Sequence, residues 1–372
     1  MTISRAVVQI HSAGESVLAS LTAHEERAAA ARFAAWLSVA GDAFAENTKR
    51  AIARDLRTYV RWCHAQQLPV MPADMNRLER YLTDLIGLGR KRATVERALY
   101  TVSLVHKGAG YPDPADNPLW KITWKKLKKR LSKAQSQAYG LSSGEVDKMM
   151  QAMGNSLHDL RDAALLMVAA DTLCRRSELA AMCREHMEHD ARARSWSVVI
   201  PFSKTDQEGE GMIRYVSPEA HAAVARWCKA AGIVVGPLFR AIGGRPRADA
   251  EERRRLSDDT FTDTRRPIAQ IGDALTPTHI ARIFKQRARA AGIDASRVSG
   301  HSLRVGTAQD LGAAGADVRA IAAAGGWKSL RMVIRYTEKQ NVARGAVAKL
   351  RRAAPLTASL GGGPGGKRRE KK

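Results

Sequence analysis

The chain has 372 residues, enough for two domains that each bury a core of their own. Apolar residues make up 45% of it, which excludes wholesale disorder, and 61 Lys and Arg against 37 Asp and Glu leave a net charge of +24. A basic surplus of that size points to a polyanion, nucleic acid above all, ahead of an acidic protein or an anionic membrane surface.

A membrane span is excluded by length. The longest aliphatic run, Ala163 to Ala170, stops at Asp171, far short of the roughly 20 residues a span requires. The opening segment MTISRAVVQIHSAGESV is interrupted by Gln9, His11 and Glu15, so it has no signal-peptide core, and a cytoplasmic protein is expected. Cys63, Cys174, Cys183 and Cys228 are scattered without a CxxC and read as free thiols. Cys183, His186 and His189 follow one another at steps of three, as on one strip of helix, but a fourth ligand has no source. A solvated helix end, not a metal site, is the expectation there.

Residues 1–44 read as an N-terminal extension, partly helical through HEERAAAARFAAWLS at 24–38. A helical, basic domain is expected over 45–134. Its segment NTKRAIARDLRTYVRWC spaces Ile52, Leu56, Tyr59 and Val60 along one face, with Arg50, Arg54, Arg57 and Arg61 nearby and Asn47 or Thr48 as the cap. Further helices are expected at 75–86 and 92–107, the second ended by the turn residues of GYPDPADNP. No strand pattern occurs before residue 190. The stretch KITWKKLKKRLSK holds seven basic residues and no acid; with AQSQAYGLSSGE after it, it reads as a basic connector and sets a boundary near residue 135.

A mixed domain over 135–352 follows. Ser143 looks like the cap of EVDKMMQAM, and 159–173 is strongly apolar. SWSVVIPFSKTDQEGEGMIRYVS alternates apolar and polar residues on both sides of a Gly-containing turn, a hairpin signal. Residues 240–266 carry dense charge of both signs and read as a surface loop. From TPTHIARIFKQRARAAG the pattern is helical to about Leu350, and the tail over 353–372, ending GGGPGGKRREKK, is expected to be disordered. The fold class that results is mostly α with a small antiparallel β-sheet: an all-helical domain followed by a mixed α/β one.

Four polar clusters stand out in the second domain. LCRRSELAAM places Arg175 and Glu178 one turn apart at the end of the apolar helix. Lys204 lies at the edge of the hairpin. SGHSLRVGTAQDL sets His301 and Arg304 three residues apart, on a common helical face suited to gripping a phosphate. AGGWKSLRMVIRY brings Trp327 and, nine residues later, Tyr336.

In that order these residues resemble the tyrosine site-specific recombinases, or phage integrases, and within them the Cre-like branch. The resemblance covers roughly residues 45–350 and rests on motifs dispersed over about 160 residues. It implies a helical core-binding domain and a catalytic domain that clamp double-stranded DNA at inverted-repeat sites. It also implies a homotetramer on two duplexes, assembled by exchange of the C-terminal helix. EKQNVARGAVAKLRRA fits that role, with Val342, Ala346, Val347 and Leu350 on one strip of a helix. By the same resemblance Thr48, Arg50 and Arg97 would contact DNA from the first domain. Thr278 and His279, near a helix N-terminus, and Arg245 and Arg247 would do so from the second.

The chemistry accounts for each residue type. A covalent phosphoenzyme keeps the bond energy of a cut strand, and a tyrosine hydroxyl is a competent nucleophile although its pKa near 10 leaves it mostly protonated. Tyr336 therefore needs a proton acceptor and a positive field. Arg175 and Arg304 offer forked donors, charged at any working pH, to the non-bridging oxygens of the phosphorane. His301 and the Trp327 indole N–H donate to the same oxygens. Lys204 is the candidate general acid for the leaving 5′-oxygen, with Lys229 as the other lysine in reach. Glu178 would orient Arg175 or His301. Arg176 lies beside Arg175, and the register is set by the three-residue step to Glu178. Neither a metal nor another cofactor is expected. A type IB topoisomerase would use the same chemistry without a specific site, and a silent DNA-binding regulator would keep the charge and lose the nucleophile. The full set from Arg175 to Tyr336 argues against the regulator, and the two-domain layout against the topoisomerase.

Overall fold

The computed structural model describes residues 24–132, 137–192, 195–201, 211–243 and 271–353. The chain forms two compact units, residues 1–136 and 137–372. Elements are numbered over the described residues.

The first unit is helical: α1 (His24–Ala40), α2 (Glu46–Ala65), α3 (Met75–Gly87), α4 (Arg92–Gly108) and α5 (Trp120–Lys129). The apolar face read from the sequence of α2 is the buried one, since Ile52, Leu56, Tyr59 and Val60 are all inside. Tyr59 meets Tyr81 of α3 edge to face at 5.0 Å, an arrangement aromatic quadrupoles favour. The start of α2 differs from expectation. Its N-cap is Ala45, with no side-chain cap, and Asn47 and Thr48 lie inside the first turn. In the last turn of α4 the fully buried His106 ties that helix to the segment before α3. Its Nε2 accepts from the Ala73 N–H at 2.9 Å, so the ring proton sits on Nδ1, 2.8 Å from the Val102 carbonyl.

The second unit packs helices around two small antiparallel sheets, as the mostly helical fold class anticipates. α6 (Ser143–Gln151) is capped by Ser142 in a reciprocal box with Glu145, one residue earlier than Ser143. The apolar α7 (Leu157–Thr172) is capped the same way by Ser156 and Asp159. After the short α8 (Arg176–Ala181), the chain forms β1 (Met187–Asp190), β2 (Ser195–Ile200) and β3 (Met212–Val216), a sheet in the order β1-β2-β3. β2 and β3 are the expected hairpin, with Val198 opposite Arg214. β1 begins at Met187, ahead of residue 190.

This overturns the helical reading of Cys183, His186 and His189. A single 3₁₀ turn, Arg184–His186, leads straight into β1, and the extended Cys183 donates its N–H to His186 Nδ1 at 3.2 Å. The His189 ring instead lies 4.7 Å from that of Trp196 on β2.

α9 (Pro218–Ala231) packs on α7, and Trp227, Phe239 and Phe284 fill the core between the layers. The stretch read as one loop from residue 240 starts as β4 (Arg240–Ile242), which pairs with β5 (Ile271–Ala274); residues 244–270 lie outside the described residues. Then follow α10 (Pro277–Ala290), α11 (Ser302–Ala314), α12 (Val318–Gly325) and α13 (Leu330–Tyr336). The chain closes with α14 (Glu338–Arg344) and α15 (Ala346–Ala353). The last two replace the single helix expected there, because Gly345 is extended (φ −64°, ψ 171°) and breaks the strip that joins Val342 to Leu350. The tail after residue 353 lies outside the described residues. No helix among the described residues is long and apolar enough to cross a membrane.

Candidate active site

The site is built around the end of α7. Leu173, buried at 2% exposure, stops that helix in the left-handed region (φ 51°, ψ 26°), which costs a side-chain-bearing residue about 1 kcal/mol. The turn aims the Leu173 carbonyl at Arg304, whose Nη1 donates to it. It also delivers Arg175 to the start of α8. There the Arg175 backbone N–H donates to Glu178 Oε2 at 2.7 Å and its Nη1 to Oε1 at 2.6 Å. The buried Glu178 thus fixes Arg175 at both ends, while Arg176 is exposed.

Arg304 lies in the first turn of α11 and is only 4% exposed. Its guanidinium carbon sits 3.9 Å over the Trp327 ring, a cation–π contact. Its Nη2 is buried and has no hydrogen-bond partner among the described residues. Burial, and then the neighbouring Arg175, push its pKa down to about 10. A buried donor left unpaired beside other cations is a costly arrangement in the free protein.

His301 precedes α11 as its N-cap residue and is not part of the helix. His301 stays one turn from Arg304, its carbonyl accepting from the Val305 N–H at 2.9 Å, but the histidine is exposed and the arginine buried. The two remain electrostatically coupled. Desolvation, then Arg304, Arg176 and Arg175, hold the His301 pKa below its ordinary value.

Trp327 follows the glycine turn that ends α12. Gly326 is left-handed (φ 66°), and a Cβ on Gly325 would lie 2.0 Å from the Trp327 ring, so neither position tolerates a larger residue. Tyr336, the last residue of α13, is half-buried and meets Trp327 edge-on at 5.9 Å. Its carbonyl accepts from Gln309 Nε2 at 3.3 Å and Gln137 Nε2 at 3.4 Å. Arg175, Glu178, His301, Arg304, Trp327 and Tyr336 thus lie in one constellation.

Sequence reasoning missed Arg214. It is buried on β3, its Nη1 donates to the Ala323 carbonyl at 3.0 Å, and it has no carboxylate partner among the described residues. Desolvation lowers its pKa, and Arg175 lowers it further. The available signal was strand parity. Arg214 shares a face with Val216, while the apolar Ile213 and Tyr215 point outward at 69% and 56% exposure. Four guanidiniums, those of Arg175, Arg176, Arg214 and Arg304, are therefore coupled around the single carboxylate of Glu178 or the ring of His301. Such a cluster can hold an anion with several oxygens.

Lys204, Arg245 and Arg247 lie outside the described residues. Lys229 is exposed on α9. Thr48 and Arg50 are exposed in the first turns of α2, and Arg97 on α4 is ion-paired with Asp55. At the N-terminus of α10, Thr278 is exposed and His279 half-buried, its N–H donating to the Thr276 cap at 3.2 Å.

The phage integrase family matches residues 140–342. The chain belongs to that family. It is a tyrosine recombinase, an enzyme that cleaves and rejoins DNA. This recombinase is 25% identical over 322 residues to the Cre recombinase of Escherichia phage P1, with 83% of this chain and 88% of that one covered. It is 27% identical over 319 residues to an integrase/recombinase XerD homolog of Selenomonas ruminantium, covering 80% and 83%. Its fold is similar to that of the XerH site-specific recombinase bound to a palindromic difH substrate, with a TM-score of 0.58 at 14% identity over 95% of this chain and 96% of that one.

Proposed function

We propose that this recombinase exchanges strands between two specific duplex sites through a 3′-phosphotyrosine intermediate and a Holliday junction, with Tyr336 as nucleophile. The observation that carries the reading is the unpaired, buried Nη2 of Arg304 within a cluster of guanidiniums, beside Trp327 and Tyr336. A phosphodiester supplies the acceptor oxygens that this donor lacks.

In the cleavage step the Tyr336 oxygen forms a bond to phosphorus and the bond from phosphorus to the 5′-oxygen breaks. In this reading His301, whose pKa is held below its ordinary value by desolvation and then by the neighbouring guanidiniums, takes the phenol proton. Arg175 and Arg304 hold the non-bridging oxygens, and the Trp327 indole N–H adds a further donor. The 5′-oxygen leaves with a proton from Lys204. Rejoining runs the same steps backwards with the 5′-hydroxyl of the other duplex, so neither an external energy source nor a cofactor is consumed.

The substrate in this reading is double-stranded DNA with inverted-repeat arms, in a cytoplasmic setting. Residues 45–134 form the core-binding domain, contacting DNA through Thr48, Arg50 and Arg97. Residues 135–352 form the catalytic domain, contacting it through Thr278, His279, Arg245 and Arg247. The 1–44 extension and the basic 353–372 tail flank them. Val342 on α14 and Val347 and Leu350 on α15 are exposed at 71%, 71% and 56%, and the proposed cover for these apolar side chains is the next protomer of a ring of four.

The deciding experiment uses Tyr336→Phe. The variant is expected to bind a target duplex as the parent does and to give no denaturant-resistant adduct on a suicide substrate. Adducts at the parent level would move the nucleophile elsewhere, first to the exposed Tyr215, because the Tyr139 hydroxyl is already hydrogen-bonded to Glu145.

A further inference from the structure

In the first unit, α2 and α4 lie side by side, and an ion pair joins them. Asp55 on α2 is buried, and its two carboxylate oxygens take the Nε and Nη2 of Arg97, the latter at 3.0 Å. Arg97 itself is 35% exposed. A guanidinium gripped along its Nε side cannot rotate, and its plane is set by the carboxylate. The opposite edge is left over: Nη1 makes no hydrogen bond among the described residues. That side chain lines a cleft of about 390 Å³ with Arg54, Thr58, Arg90 and Thr94.

A clip between two helices would need no such cleft, and α2 and α4 already share the apolar core through Leu56, Tyr59, Val95 and Val102. A phosphate anchor would be built differently. The Asp55 charge cancels that of Arg97 and repels a phosphate nearly as strongly as the guanidinium attracts it. The uncancelled cations at the cleft are Arg54, exposed and 3.9 Å from the nearest Asp55 oxygen, and the exposed Arg90. What suits an immobilised, charge-balanced fork is a neutral group with two acceptors side by side. Guanine offers that through O6 and N7 in the major groove. Adenine sets a donor beside its N7, and neither pyrimidine has a pair of acceptors there.

We propose that Arg97, locked by Asp55, reads a guanine in each arm of the target site, and that the pair sets sequence preference at that position. The proposal rests on the DNA-recombinase reading above. Arg54 and Arg90 then supply phosphate contacts that position the fork and carry no sequence information.

The test is selection from random duplexes by the full-length chain, followed by sequencing, with melting curves to establish that each variant is folded. The parent is expected to enrich sites with guanine at one fixed position per arm. Arg97→Gln should move that position toward adenine, whose N6 and N7 match a carboxamide, and discrimination for guanine should fall about tenfold or more. Asp55→Asn should weaken the guanine preference while raising affinity for all duplexes, because a negative charge next to DNA has gone. Arg54→Ala should weaken binding to every sequence alike and reduce the salt slope by about one. A folded Arg97→Gln that selects the parent's consensus overturns the proposal and makes the pair a helix clip. A parent that enriches no sequence at all overturns the recombinase-site reading together with it.

Discussion

Two clusters of arginines in the second unit balance their charge in opposite ways. Around α7 and α10, Arg161 and Arg287 face Asp159 and Asp162: Arg287 donates to Asp159 at 2.6 Å and to Asp162 at 2.7 Å, and Arg161 donates to Asp162 at 2.8 Å. Every guanidinium there has a carboxylate. At the end of the same α7, Arg175 takes the Glu178 carboxylate, and Arg304 and Arg214 are buried without one: Arg304 donates to the Leu173 carbonyl, Arg214 to the Ala323 carbonyl and to Met212 Sδ. The first cluster is complete in the free protein. In the function proposed above, the second is completed by a substrate phosphate. A buried cation without its own anion lowers stability, and the fold retains it where a substrate oxygen takes the missing place.

Replacing one arginine from each cluster separates the two roles. Arg304→Met keeps the volume and removes an unbalanced charge. Cleavage of a suicide substrate is expected to drop by about 10³-fold or more. The unfolding free energy from urea titration should stay within about 1 kcal/mol of the parent or rise above it. Arg287→Met is the mirror image. It leaves Asp159 and the buried Asp162 short of a cation, and unfolding should become easier by about 3 kcal/mol, with cleavage retained at a temperature where the variant is folded. Equal losses of stability in the two variants would erase the distinction.

Glu178→Gln tests the one carboxylate in the unbalanced cluster. The amide keeps the shape but removes the charge and one of the two acceptor oxygens that Arg175 uses, so one charge-assisted hydrogen bond worth about 1.5–3 kcal/mol is lost. If that falls on the transition state, cleavage slows about tenfold to a hundredfold at unchanged duplex affinity. A Glu178→Gln chain that cleaves normally would show that the Leu173 turn alone positions Arg175.

Beyond the dispersed motifs that carry the family resemblance, the features that could be read from sequence are those whose signal is local. The buried face of α2 follows from helical spacing, the β2–β3 hairpin from alternation around a Gly-containing turn, and the glycines before Trp327 from the backbone approach they allow. Charge clusters assembled from distant segments gave no such signal. Arg214 is invisible as a strand arginine until the register of β3 is known, and the Asp55–Arg97 pair spans 42 residues. His301 and Arg304 were legible as a pair but not as an exposed cap and a buried first-turn residue, because helix starts depend on cap geometry that several polar residues can satisfy. The break at Gly345 escaped for a related reason: glycine lowers helix propensity without dictating a stop, and here the extended backbone splits an otherwise continuous pattern.

The smallest effect expected is the pH response of His301, and its sign follows from the same imbalance. In the unfolded chain an imidazole titrates near 6.5; in the folded protein desolvation and three guanidiniums hold it lower. Between those two values the unfolded chain binds more protons than the folded one, so stability from this residue is complete above about pH 6.5 and is lost as pH falls toward the folded pKa. The buried His106 contributes with the same sign in the first unit, as do His221 and His279 in the second, so the parent alone cannot assign the slope. His301→Asn should flatten the second unit's stability slope below pH 6.5 by less than one proton and leave the rest. Cleavage carries the sharper readout. If neutral His301 accepts the Tyr336 proton, the parent's cleavage rate falls as pH drops through the depressed pKa, and His301→Asn gives a slower rate without that acid limb. An acid limb that survives in His301→Asn would place the proton acceptor elsewhere and leave His301 as a donor to the phosphate oxygens.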